Sequence, residues 1–179
     1  ARGDPPAAIV YIHGGPTGQH YQGWDATPQV FANRGFVVLA PNVRGSTGYG
    51  REFQEANRFD WGGADLADVT AGAEWLVAEG IADGAHLGIC GGSYGGYLTL
   101  LALGRHPGLF AAGASFVGVV SLETLYMTTR GDLRDYPARE IGPPPRHGAR
   151  AREGRPIPSP DRDPPPPPRP QRRSRPPTP

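Results

Sequence analysis

Ser93 lies within Gly91-Gly92-Ser93-Tyr94-Gly95-Gly96, which contains the Gly-x-Ser-x-Gly spacing of a nucleophile elbow. A strand that turns sharply into a helix forces its central residue into a strained backbone, and flanking residues larger than glycine clash there. The hydroxyl is thereby raised above the sheet at a helix N-terminus, where the dipole and unpaired N–H groups favour developing negative charge. That is equipment for attack on a carbonyl carbon through an acyl intermediate. Gly-rich turns are common, so the pentapeptide alone is a weak signal. Its weight comes from its place between a predicted strand and a long apolar helix; the alternative is a purely structural turn.

The elements around it read as an alternation of strands and helices. Residues 8–12 form a continuous apolar run ending in a Gly-Gly-Pro loop, which predicts a fully buried strand. Residues 30–34 read as a helix end stopped by Gly35, and residues 36–40 as a second buried strand closed by Pro41. A Gly-rich loop covers residues 44–50. Leu66, Val69, Ala73 and Leu76 share one face of a helix predicted over about residues 65–79. Residues 86–90 give a third strand, residues 94–105 a helix apolar on nearly all sides, and residues 111–120 contain a fourth strand. Without hairpin signals this order predicts a mostly parallel sheet with helices on both faces, an α/β class. In an α/β-hydrolase the second half of the oxyanion hole follows the first strand, where His13-Gly14-Gly15-Pro16 stands. The Tyr94 N–H supplies one expected donor and the Gly15 N–H, ahead of Gly14, the other. His13 precedes the serine whereas this fold supplies its base last, so a loop-ordering role is favoured for it.

Four segments resemble the catalytic domain of the prolyl oligopeptidase family of serine peptidases, most closely its acylaminoacyl-peptidase and dipeptidyl-peptidase-like branch. They are His13-Gly14-Gly15-Pro16, Pro41-Asn42-Val43-Arg44-Gly45-Ser46-Thr47-Gly48-Tyr49-Gly50, Asp65-Leu66-Ala67-Asp68-Val69 and Gly92-Ser93-Tyr94-Gly95-Gly96-Tyr97. The later His106-Pro107-Gly108-Leu109-Phe110 is similar too. The resemblance spans about residues 7–142 and implies that Ser93 attacks the carbonyl of a short peptide while Tyr94 and the Gly14/Gly15 loop bind the oxyanion. A carboxylesterase is the alternative within the class, since the same equipment serves esters. Arg44 is expected to order its loop through carboxylate and carbonyl bonds rather than bind substrate. Cys90 reads as a small buried hydrophobe. Tyr126, Trp24 and Trp61 are open between pocket lining and packing.

A serine hydroxyl needs a base and the base an orienting carboxylate, arriving in this fold after the serine in the order Asp, His. The chain then offers Asp132, Asp135, Asp161 and Asp163, with His106 and His147. His106 falls at the far end of the elbow helix, roughly 18–20 Å from Ser93 at 1.5 Å per residue. Asp135 and His147 have the right order, but no predicted strand carries either. The expectation is therefore a partial α/β-hydrolase fold lacking its last strands, with little or no activity of its own.

Composition explains where the pattern stops. Residues 143–179 hold 15 of the 22 prolines and nine arginines against three acids, a net +6, leaving −5 on residues 1–142. So few apolar residues predict a disordered Pro/Arg-rich tail beside a hydrolase body over residues 1–142. With 18 basic residues, all arginine, a GC-rich gene is implied, and a change of reading frame after about Gly142 is the expected cause; a genuine Pro-rich tail competes with it. In that case a dead hydrolase domain acts as a binding module through Pro-x-x-Pro spacings at residues 164–170. Nucleic-acid binding by the tail would be weak and sequence-blind.

The absence of lysine excludes Walker-type phosphate loops, pyridoxal Schiff bases and lysine bases. No cofactor and no metal are expected. No apolar run reaches the 18 residues of a membrane helix, no charged, cleavable leader opens the sequence, and one cysteine makes no internal disulfide. Together these give a cytoplasmic expectation; oligomeric state is left open.

Overall fold

The apolar run that ends in the His13 loop forms β1 (Ala8–Ile12), and every later strand is set beside it or one strand away. The computed structural model describes residues 4–131 and 135–142. In chain order the further elements are α1 (Ala26–Ala32), β2 (Val37–Leu39), α2 (Arg51–Glu55), α3 (Ala64–Ala78), β3 (Leu87–Gly92), α4 (Tyr94–Arg105), β4 (Ala112–Phe116), α5 (Leu122–Thr128) and α6 (Asp135–Glu140). Among the described residues the sheet order is β2-β1-β3-β4 and all pairings are parallel. The register sets Val10 opposite Leu39 on one side and Ile89 on the other. The α/β class and the parallel sheet are as the sequence predicts.

One face of the sheet carries the core. Ala8, Val10, Ile12, Leu87 and Ile89 are no more than 2% exposed, and they pack with Leu66, Val69, Ala73 and Leu76 of α3 and Leu98 and Leu101 of α4. Each buried Leu or Ile contributes about 1.5–3 kcal/mol relative to exposure. The four-residue stripe read from the sequence of α3 is therefore its buried face. The other face is thinner. Burial alternates along β1, with Ile9 and Tyr11 half-buried, so the expected fully buried strand is buried on one side. The run at residues 36–40 is likewise corrected: only Val37–Leu39 is strand, and it is half-buried because it is a sheet edge with a neighbour on one side only. At the opposite edge β4 is largely exposed: its last residue, Phe116, and Val117 just after it are 61% and 90% exposed.

The short helices α2, α5 and α6 were not legible from periodicity. Five to seven residues are too few to establish a 3.6-residue repeat. The Pro/Arg-rich tail, with His147, Asp161 and Asp163, lies outside the described residues, as does Asp132.

Candidate active site

The elbow is built by close approach. Ser93 links β3 directly to α4 with φ 55° and ψ −116°, a left-handed conformation that few non-glycine residues adopt. Its N–H donates to the Phe116 carbonyl at 2.9 Å, which ties the turn to the end of β4. The flanking glycines are required sterically. A methyl on Gly91 would lie 2.6 Å from the Gly95 carbonyl carbon and 2.7 Å from the Ile12 oxygen. A methyl on Gly95 would collide with the Ile12 carbonyl oxygen and reach within 2.7 Å of that of His13. Strand β1, strand β3 and helix α4 thus meet without side chains between them, and Ser93 itself is left exposed.

This contact brings the His13 loop to the serine. A methyl built on Gly14 would sit 3.7 Å from Ser93 Cβ. His13 is 8% exposed; its Nδ1 donates to the Gly14 carbonyl at 2.7 Å, and its Nε2 meets Ser46 Oγ at 2.9 Å. Burial holds the His13 imidazole below the usual histidine value, against the raising effect of the Gly14 carbonyl. One ring nitrogen is committed to its own loop and the other to the Gly-rich loop over residues 44–50, as expected of a loop-ordering residue. In the trans Gly14–Gly15 peptide the N–H points opposite to the C=O. With the Gly14 C=O turned to His13, the Gly15 N–H is directed away from that ring. Tyr94, as the first residue of α4, has no carbonyl one turn back to receive its own N–H.

Gly15, Ser93 and Tyr94 share the wall of a cavity of about 230 Å³, whose apolar lining comes from Trp61, Val119, Leu125, Tyr136 and Pro137, with Thr129 beside them. The Thr129 hydroxyl donates back to the Leu125 carbonyl at 2.5 Å. Of the aromatic residues left open by the sequence, Trp61 both packs in the core, at 7% exposure, and lines this cavity. Trp24 is 82% exposed and borders a different groove. Tyr126 is half-buried, and on its helix it is Leu125 and Thr129, four apart, that face the cavity.

Behind Tyr94 is a cluster that sequence reasoning did not single out as part of the site. Asp65, fully buried, accepts from the Tyr94 hydroxyl, from Asn57 Nδ2 at 3.3 Å, and from the N–H groups of Gly62 at 2.8 Å and Leu66 at 2.7 Å. Burial pushes its carboxyl up to about 6, although all four hydrogen bonds pull the other way. Burial, and then the neighbouring carboxylate, raise the Tyr94 phenol well above its ordinary value. The one signal in the sequence was that Asp65 stands four residues before Val69, on the apolar face of α3. Nearby, Arg44 forms a two-pronged pair with Asp68, at 2.6 Å for the shorter contact, and donates to the Ala64 carbonyl at 2.9 Å. Those are the carboxylate and carbonyl bonds anticipated for it. Cys90 is buried, and burial raises its thiol.

Among the described residues no imidazole or carboxylate hydrogen-bonds the Ser93 hydroxyl. His106 caps the far end of the twelve-residue α4, His20 is held by the Tyr11 carbonyl, and His86 pairs with Asp83 before the start of β3, opposite the elbow. Asp135 is exposed at the first turn of α6. Nor is there a group of three or more His, Cys, Asp or Glu side chains fit to hold a metal, or a helix long and apolar enough to cross a membrane, among those residues.

Sequence and structure comparisons agree with this architecture. A profile of the prolyl oligopeptidase family matches residues 22–157. The chain is 40% identical over 124 residues to dipeptidyl aminopeptidase BIII of Pseudoxanthomonas mexicana, covering 69% of itself and 18% of that protein. It superposes on a puromycin-hydrolyzing peptidase of Mycobacterium tuberculosis with a TM-score of 0.81 at 38% identity, covering 87% of this chain and 24% of that one. For the acylaminoacyl peptidase of Pyrococcus horikoshii the TM-score is 0.78 at 33% identity, covering 86% and 25%. The chain therefore spans less than a fifth of the length of that curated relative and about a quarter of these solved chains. With the elbow, the His-Gly-Gly-Pro loop and the parallel sheet between them, the chain belongs to the prolyl oligopeptidase family of serine peptidases.

Proposed function

We propose that Ser93 is the nucleophile of a peptidase acting on short peptides, and that the N–H groups of Tyr94 and Gly15, with Gly14 shaping the loop, bind the oxyanion. The observation that carries this reading is the left-handed Ser93 on the wall of an apolar cavity that it shares with Gly15 and Tyr94. In the reaction Ser93 Oγ bonds to the carbonyl carbon, and the carbonyl oxygen, gaining negative charge, moves toward the two N–H groups. The C–N bond then breaks, the amine leaves with a proton, and water releases the acid from the ester on Ser93. Each oxyanion donor in such a site contributes about 3–4 kcal/mol to the transition state. The cavity receives an apolar side chain on the acyl side of the cut bond, since Trp61, Val119, Leu125 and Pro137 provide little to pair with a charge.

Proton removal from Ser93 is the step for which the described residues hold no base. The chain on its own is therefore proposed to turn over slowly, retaining at most the roughly 10³–10⁴-fold advantage over water that an oxyanion hole and binding give without a working triad. Reaction with a fluorophosphonate probe tests the nucleophile. Covalent labelling of the chain that disappears in Ser93→Ala supports it, and labelling that persists in that variant sinks it. Parallel assays on a peptide amide and a nitrophenyl ester separate peptidase from esterase chemistry.

A further inference from the structure

The Asp65 carboxylate is unusual in its partners. Its four donors are a phenol, a side-chain amide and two backbone N–H groups, none of them a cation. A carboxylate with no counter-charge in direct contact is costly to bury, and an apolar cluster of the same shape is often as stable or more so. The cluster is not fully satisfied either, because Asn57 Oδ1 is buried without a partner. What it does is tie three separate pieces of chain together: Asn57 after α2, the Gly62 turn leading into α3, and the first residue of α4. That last residue is Tyr94, whose ring is 1% exposed and packs edge-on against Trp61 with centroids 5.0 Å apart. A phenylalanine would fill the same space. The hydroxyl adds only the bonds to Asp65 and Asn57.

We infer that Asp65 is a positioning residue: by holding the Tyr94 hydroxyl it fixes the first turn of α4 and, with it, the direction of the Tyr94 N–H beside Ser93. The inference rests on the proposed role of that N–H as an oxyanion donor. Asp65 touches no substrate and exchanges no proton with it. Its effect reaches the reaction through one side chain, so removing either end of the Asp65–Tyr94 bond has the same consequence.

The test uses the full chain with Asp65→Asn, Tyr94→Phe and the double variant, read in two ways. The first is amide hydrogen exchange at Tyr97, whose N–H closes the first turn of α4 onto the Ser93 carbonyl at 3.0 Å, compared with amides in the middle of α4. The second is affinity for phenylboronic acid, which forms a tetrahedral adduct on a reactive serine, with Ser93→Ala as the blank. The expected result is faster exchange at Tyr97 in both single variants with mid-helix amides unchanged. Boronate binding should weaken between about tenfold and a hundredfold in each. The double variant should lose no more than either single one. Wild-type affinity retained in both single variants, or losses that multiply in the double variant, would overturn the inference. If the wild type does not bind boronate, the oxyanion reading fails, and exchange at Tyr97 still decides whether Asp65 fixes the first turn of α4: unchanged exchange refutes that. Should Asp65→Asn fail to fold, Tyr94→Phe, which keeps the ring and its packing, carries both readouts alone.

Discussion

Replacing Asp65 by asparagine should change how the stability of the protein depends on pH, and burial of the carboxyl sets the sign. Burial raises this carboxyl from 3.8 to about 6 in the folded state. A group whose folded value is raised stabilises the fold fully below its unfolded value and loses that contribution as pH rises through the folded one. The window is therefore about pH 4 to 7. Moving one carboxyl from 3.8 to about 6 corresponds to about 3 kcal/mol across that window. His13 and His20, both lowered chiefly by burial, act in the opposite sense, favouring the fold increasingly as pH rises toward the ordinary histidine value. Both histidines are present in wild type and variant, so the difference between the two stability curves isolates Asp65. Urea unfolding of both proteins at half-unit pH steps gives that difference. Relative to Asp65→Asn, the wild type should lose about 2–3 kcal/mol between pH 4 and 7, with a steepest slope of about 1 kcal/mol per pH unit. A flat difference curve, or one rising with pH, would refute the claim that an ionised Asp65 is held inside at a cost.

Three further outcomes are expected. Gly95→Ala pushes a methyl into the Ile12 and His13 carbonyl oxygens, so it should destabilise the fold by about 1–3 kcal/mol in denaturant unfolding and abolish probe labelling of Ser93; a labelled variant of wild-type stability would show that β1 and α4 are not in contact. Val117, at φ 46° and 90% exposed, carries backbone strain without packing in return. Val117→Gly should raise Tm by a few degrees, a net gain of about 0.5–1 kcal/mol after the flexibility that glycine adds to the unfolded chain, and a lowered Tm would contradict the left-handed assignment. The exposed edge at β4, which ends in Phe116, should make the protein associate, so light scattering should detect dimers or larger species that Phe116→Lys reduces; a wild-type monomer at high concentration argues against an adhesive edge.

Some of this protein was settled by local chemistry and so could be read along the chain. Ala64–Ala78 is long enough for its apolar residues to mark one face at a 3.6-residue repeat, Tyr94–Arg105 is an apolar run too long for a strand, and β1 and β3 are short apolar runs that lead into glycines. The elbow spacing can be read along the chain, but the collision that demands glycine at 91 and 95 is partly tertiary, because the Ile12 carbonyl oxygen at the end of β1 closes on both positions. The order β2-β1-β3-β4 was not local, and it alone decides that residues 37–39 form a half-exposed edge rather than a buried strand. The cavity beside Ser93 draws residues from the His13 loop, the turn before α3, the start of α4, the segment after β4, and helices α5 and α6, separations over which no sequence period extends. Asp65 shows the division in one residue. Its place on the apolar face of α3 is visible in the sequence, whereas its partner lies 29 residues away on another helix. Only the packing of α3 against α4 turns a carboxyl at a helix start into a buried anchor for the residue beside the serine.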